Sequence, residues 1–140
     1  TNGRWILACD QVAEFNGVLF GKPKDAETHS QQLLALRGQR HSLHCGYAIV
    51  DPSGKVYTGA EVTELSMRSD VTDKEIKHYV SMGEGKRCAG GYAVEGHGGL
   101  FFENTRGDWN NILGLPLFRI VAQLRVLGWR YGETGFGVYA

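Results

Sequence analysis

Hydrophobic and polar positions divide the chain into short segments with two different periods. Residues 5–9 form an unbroken apolar run, Trp-Ile-Leu-Ala-Cys, that stops at Asp10-Gln11. A run this short predicts a buried strand whose end delivers an ionisable group. Residues 12–15 and 18–20 flank Asn16-Gly17, a pair that accepts the positive φ angles of a two-residue type I′ hairpin turn. The chain is therefore expected to double back and return Gly21-Lys22-Pro23 towards the strand end that carries Asp10. A carboxylate and an ammonium would then share one mouth.

After Pro23, Asp25 offers an N-cap to a helix over residues 26–36. Leu33, Leu34 and Leu36 give that helix an apolar side, and Arg37-Gly38 ends it. His29, in its middle, is expected to be exposed. Residues 41–50 alternate, with Leu43, Cys45, Tyr47 and Ile49 on one face and Ser42, His44 and Gly46 on the other. That pattern predicts a strand and puts His41 and His44 on opposite faces. Asp51-Pro52-Ser53-Gly54 suits a type I turn, so residues 55–67 should return antiparallel as a long strand whose charged tail suggests a sheet edge.

Thr72-Asp73-Lys74-Glu75 is a capping box. It opens a helix with Ile76, Tyr79 and Val80 on one face, closed by Gly83. Residues 83–87 read as a polar loop, 88–95 as a small apolar segment and 100–103 as a strand. After Arg106-Gly107, residues 109–113 read as the last piece of the sheet. Gly114-Leu115-Pro116 then starts a final helix with Leu117, Ile120, Val121, Leu124 and Leu127 along one stripe. Residues 129–140 are glycine-bearing and expected to be a loosely ordered tail. The whole predicts a mixed α/β sheet with flanking helices.

A length of 140 residues points to one domain, 1–140, able to bury a core without metals or disulfides. Fifteen basic residues balance fifteen acidic ones, and no Lys/Arg cluster is dense enough for a nucleic-acid partner. Cys9, Cys45 and Cys88 are odd in number and far apart, as expected of reduced core thiols in a cytoplasmic protein. No apolar run reaches a membrane span and no leader precedes the first one, so no membrane partner is expected.

Three ordered motifs carry the chemistry. The first joins Ala8-Cys9-Asp10-Gln11-Val12 to Asn16-Gly17 and Gly21-Lys22-Pro23-Lys24-Asp25. The second is Cys88-Ala89-Gly90-Gly91-Tyr92-Ala93-Val94-Glu95-Gly96, and the third runs from Gly107-Asp108-Trp109-Asn110-Asn111 to Pro116-Leu117. In this order and spacing they resemble the signatures of the Maf family, the septum-formation inhibitor proteins that act as nucleoside triphosphate pyrophosphatases. The resemblance runs to about Gly128. It implies a twisted, elongated sheet, Maf/ITPase-like, shared by two lobes with the nucleotide in the cleft between them. It further implies hydrolysis of a nucleoside triphosphate to monophosphate and pyrophosphate with Mg²⁺ or Mn²⁺, and leaves room for a homodimer.

On this resemblance Asp10 is the catalytic residue, as general base or as metal ligand, because magnesium binds through few carboxylates and keeps several waters. Lys22 is a phosphate contact, a point charge on a flexible stem. Members of the dTTP/UTP type carry Thr where Gln11 stands and Gln where Glu95 stands. Gln11 and Glu95 therefore resemble the 7-methyl-GTP branch, whereas Gly91-Tyr92 looks closer to the dTTP/UTP type. A carboxylate matches the adjacent N1–H and N2–H donors of guanine and is attracted to a base made cationic by N7-methylation.

Blander roles are expected elsewhere: Tyr92 and Trp109 in the core, Asp108 in a turn, His97 in a solvated loop, Lys24 on the surface, and no nucleophilic cysteine. Family members also open with a Ser-x-Ser-Pro-Arg-Arg loop and a long helix that do not occur in these 140 residues, which correspond to the C-terminal two-thirds of the family domain. Little or no activity is accordingly expected of this segment alone, since Lys22 and one metal ion fall short of a triphosphate's charge. The alternatives are a remnant that binds nucleotide without catalysis and an interaction module in cell-division control.

Overall fold

The computed structural model describes residues 2–133. Five strands, β1 (Ile6–Phe15), β2 (Val18–Phe20), β3 (Arg40–Val50), β4 (Val56–Met67) and β5 (Phe102–Arg106), form one sheet in the order β2-β1-β3-β4-β5. Every pairing is antiparallel. The helices are α1 (Ala26–Leu36), α2 (Asp73–Met82), α3 (Trp109–Ile112) and α4 (Leu117–Val126), and 3₁₀ turns occupy Ala89–Gly91 and His97–Phe101. The α/β architecture with flanking helices is the expected one.

Local signals act as their chemistry dictates. Asn16 (φ 51°) and Gly17 (φ 78°) turn the β1–β2 hairpin, with Phe15 opposite Val18. Asp25 caps α1 by accepting the Thr28 N–H at 2.7 Å. The capping box of α2 is complete: the Thr72 hydroxyl accepts the Glu75 N–H and the Glu75 carboxylate accepts the Thr72 N–H. Gly54 donates to the Asp51 carbonyl at 2.9 Å, closing the turn between β3 and β4.

Long-range pairing changes several expectations. Asp10 does not end a strand. β3 pairs with β1 from Ile6↔Val50 to Glu14↔Ser42, so one continuous strand carries Asp10 at its middle, opposite Gly46. The apolar run at its start is not buried either. Trp5, Ile6 and Leu7 are 36%, 46% and 46% exposed, and with Ile49, Ile120 and Leu124 they line a shallow apolar groove.

The charged end of β4 is no edge, since β5 pairs with it from Glu64↔Arg106 to Met67↔Phe102. The span expected as a strand at 100–103 is a 3₁₀ turn as far as Phe101, and pairing starts at Phe102. Residues 109–113 are helical rather than extended, because the Asp108 carboxylate accepts the Asn110 N–H at 2.8 Å and starts α3.

The odd-numbered residues of β1, β3 and β4 face the helices. At one end of that face α1 and α2 pack Leu33, Leu36, Ile76 and Tyr79 against Ala13, Leu43, Leu65 and Met67. At the other end Ile120 of α4 meets Tyr47 and Ile49. Of the α4 stripe Ile120 is buried, whereas Leu117 stays 40% exposed. His29 is buried, not exposed: its ring lies edge-on to Tyr79 and its Nε2 bonds the Gly91 carbonyl, a contact between α1 and a turn 62 residues away. Within the expected tail, Trp129 N–H donates to the Leu124 carbonyl at 3.0 Å and so folds back on α4; residues 134–140 lie outside the described ones.

Candidate active site

Between the two packed clusters lies a cavity of about 270 Å³. Asp10, Gln11, Lys22 and Glu95, the four residues singled out by sequence, all line it. They arrive from three places. Asp10 and Gln11 come from β1, Lys22 from the connection that follows β2, and Glu95 from the segment between the two 3₁₀ turns. The hairpin thus returns Lys22 to the cavity that Asp10 lines, even though Asp10 is mid-strand.

Asp10 is exposed. Its neighbour across the sheet is Gly46, and beyond that Ala60, so small residues lie beside it in the sheet. One oxygen, Oδ1, accepts the Gln11 N–H at 2.9 Å. The other remains available to a ligand. Magnesium takes one or two protein carboxylates, with waters and substrate phosphates completing its shell, so Asp10 fits such an ion. Among the described residues no group of three His, Cys, Asp or Glu side chains could cage a metal without that help.

Gln11 is tied down. Its Nε2 donates to the carbonyls of Asn111 and Ile112 at 2.6 and 3.1 Å, which leaves Oε1 as its acceptor. Asn111 is fully buried, and its Nδ2 reaches the carbonyls of Leu43 and Glu61 and the Thr63 hydroxyl at 3.1–3.3 Å. That amide rivets α3 to β3 and β4, and Gln11 is pinned to the riveted turn. The cavity wall at Ile112, Leu113 and Gly114 is held in place by these bonds.

Glu95 is exposed, and no hydrogen bond or ion pair ties it among the described residues. The turn after it is clasped by Glu84, whose carboxylate accepts the N–H groups of His97 and Gly98 at 3.2 and 3.0 Å. Burial alone pushes the Glu84 carboxyl up; the N–H groups of Gly98 and His97, with the His97 ring and the Tyr79 hydroxyl, overcome it and pull it down to about 2.

The thiols stay protonated. Burial, the neighbouring Cys9 and the Asp10 charge push Cys45 up to about 11, and burial raises Cys9 and Cys88 as well. All three cysteines are free, and none is a poised nucleophile.

The other candidates take several roles. Asp108 is a helix cap, His97 is exposed and paired with Glu84, and Lys24 does not line the cavity. Trp109, expected in the core, is instead 46% exposed and outside the cavity, because α3 turns Asn111 and Ile112 inward and leaves its first residue on the outer side. Tyr92 lines it but is 3% exposed, its hydroxyl bonded to the buried His41, which makes it wall rather than a free stacking platform. Arg87 and Glu84 lie outside the three motifs, and Asn111, although inside the third, is given no role by the sequence. The placement of Arg87 in the cavity comes from the fold of the loop before Cys88, and no spacing rule signals it.

Residues 1–127 match the family profile described as Maf-like protein. The chain belongs to the Maf family. Among curated relatives, a dTTP/UTP pyrophosphatase of Pyrococcus horikoshii is 37% identical over 128 residues, 91% of this chain and 67% of the relative. A dTTP/UTP pyrophosphatase of Pyrococcus furiosus is 37% identical over 116 residues, 83% of this chain and 60% of the relative. A nucleoside triphosphate pyrophosphatase of a Synechococcus species is 38% identical over 115 residues, 80% of this chain and 60% of the relative. This Maf-family chain therefore spans 60–67% of the length of these relatives. No helix among its described residues is long and apolar enough to cross a membrane.

Proposed function

We propose that the protein is a nucleoside triphosphate pyrophosphatase that hydrolyses its substrate to a nucleoside monophosphate and pyrophosphate. What carries the reading is the meeting of Asp10, Lys22, Gln11 and Glu95 in one cavity of a Maf-family chain. Asp10 holds the attacking water, or the divalent ion beside it, through its free oxygen, and Lys22 offsets charge on the phosphate chain. A divalent ion, when bound, supplies further positive charge at the phosphoryl oxygens.

For the base we propose a guanine-type ring, of the 7-methyl-GTP kind. With its amide hydrogens bonded to Asn111 and Ile112, Gln11 offers the site an acceptor, Oε1. Glu95 is acceptor-only when ionised. Two acceptors suit the paired N–H donors of guanine, and a cationic methylated base gains attraction to Glu95. Thymine or uracil would set carbonyls against the carboxylate, a mismatch of the kind that lowers kcat/KM by about 10⁴ or more when a polar site is left unpaired. The printed names of the Pyrococcus relatives support dTTP or UTP as the second reading.

Pyrophosphate release by the full-length protein from 7-methyl-GTP, GTP, dTTP and UTP, with and without Mg²⁺, tests both readings. A preference for dTTP or UTP, or an unchanged ranking in the Gln11→Thr, Glu95→Gln double variant, removes the guanine assignment. No release from any of the four removes the pyrophosphatase reading.

A further inference from the structure

Arg87 lines the same cavity as Asp10, Lys22 and Glu95, although it lies outside the residues that resemblance assigns to the site. We propose that Arg87 is a second phosphate-binding residue, gripping the polyphosphate chain together with Lys22. The inference rests on the cavity being a nucleotide site and names what holds the nucleotide's most charged part.

Three observations carry it. First, the Arg87 guanidinium is uncommitted: it is exposed and makes no ion pair or hydrogen bond among the described residues, whereas Arg37, Arg68 and Arg119 are each paired to a carboxylate at 2.6–2.9 Å. Lys22 is uncommitted in the same way. Second, the backbone under Arg87 is fixed. Cys88 N–H donates to Gly85 O at 2.9 Å and Gly91 N–H to Cys88 O at 3.0 Å. Gly85 (φ 77°) presses so close to the Gly91 carbonyl that any side chain at 85 would collide with it. A long cation on a rigid turn beside the cavity is organised for a ligand, at little ordering cost to the backbone.

Third, the charges of the lining favour it. Asp10 and Glu95 bring two carboxylates to the cavity, and among its described lining residues Lys22 and Arg87 are the cations that a polyphosphate would meet. Cys88, next in sequence to Arg87, lines the same cavity as Lys22 and Glu95, so the turn that carries Arg87 borders these groups. A guanidinium presents parallel N–H donors that span two phosphate oxygens, the geometry in which arginine outperforms lysine.

The test uses the full natural chain and inorganic tripolyphosphate as the probe, titrated calorimetrically at physiological salt, alongside pyrophosphate release from the preferred nucleotide. Arg87→Gln should weaken tripolyphosphate binding by about tenfold or more, as loss of a charge-assisted pair does. Arg87→Lys should recover part of that loss. Lys24→Gln, which removes an equal charge outside the cavity, should change affinity by less than about twofold. Thermal melting should be unmoved, since Arg87 is exposed. Wild-type-like binding by Arg87→Gln, an equal loss in Lys24→Gln, or no binding by the unmodified protein each overturns the proposal. Binding that depends on Arg87 in a protein that releases no pyrophosphate keeps this anion site and discards the hydrolase reading instead.

Discussion

Gln11 is joined to Asn111 across 100 residues of sequence by a 2.6 Å hydrogen bond from its side-chain amide to the Asn111 carbonyl. The residue next to Asp10 is therefore a strut as well as a lining residue. Gln11→Ala leaves the part-buried carbonyls of Asn111 and Ile112 without this donor and should cost about 1–3 kcal/mol. Urea denaturation reads this directly. A midpoint identical to wild type would show that water replaces the strut.

Asp10 behaves oppositely. It is exposed and, among the described residues, bonded only to its own neighbour, so Asp10→Asn should leave the melting temperature unchanged while turnover by the full-length protein falls by about 10²–10⁴-fold, the range for a lost general base. Turnover within a few-fold of wild type would sink the catalytic role.

Glu84 sets an acid limit. Its folded carboxyl is held at about 2 against an ordinary 4.5, so between those values the unfolded chain binds the extra proton. The stability from its clasp on His97 and Gly98 is complete above about pH 4.5 and is lost as pH falls towards 2. Glu84→Gln should lower stability at neutral pH and flatten the dependence in that window. A variant curve parallel to wild type would refute this.

His41 acts in a higher window. Burial holds its ring down at about 4, against an ordinary 6.5, with Glu14 offsetting only a part. The unfolded chain takes up the proton first, so stability is complete above about pH 6.5 and declines as pH falls to 4. The difference in melting temperature between wild type and His41→Gln should narrow across that interval. A difference independent of pH would exclude His41 as the cause.

The parts of the fold that were legible in the sequence are those governed by neighbours in the chain. Asn16-Gly17, the Asp25 cap, the Thr72–Glu75 box and the alternation from Leu43 to Ile49 each act within a few residues, and each appears as read. What could not be read depends on partners far along the chain. His29 is buried because Gly91 arrives beside it, and Asp10 is mid-strand because β3 extends past it on both sides. Apolar composition made residues 5–7 look like core, yet composition does not say whether another element covers them. In the site, Asp10 and Lys22, brought together by the hairpin, and Gln11 and Glu95, picked out by the family resemblance, line one cavity, while Arg87 and the part played by Asn111 emerged only from tertiary structure.

If Gln11 and Glu95 read the base as proposed, their different attachment bears on how readily that preference can drift. Glu95 is exposed and makes no hydrogen bond or ion pair among the described residues, so replacing it by glutamine, a one-nucleotide change in its codon, should alter what the cavity accepts at almost no expense in folding. Gln11 is anchored to α3, and changing it disturbs the wall. A lineage moving between nucleotide classes would therefore cross at position 95 first, with position 11 following once other contacts had secured the α3 turn.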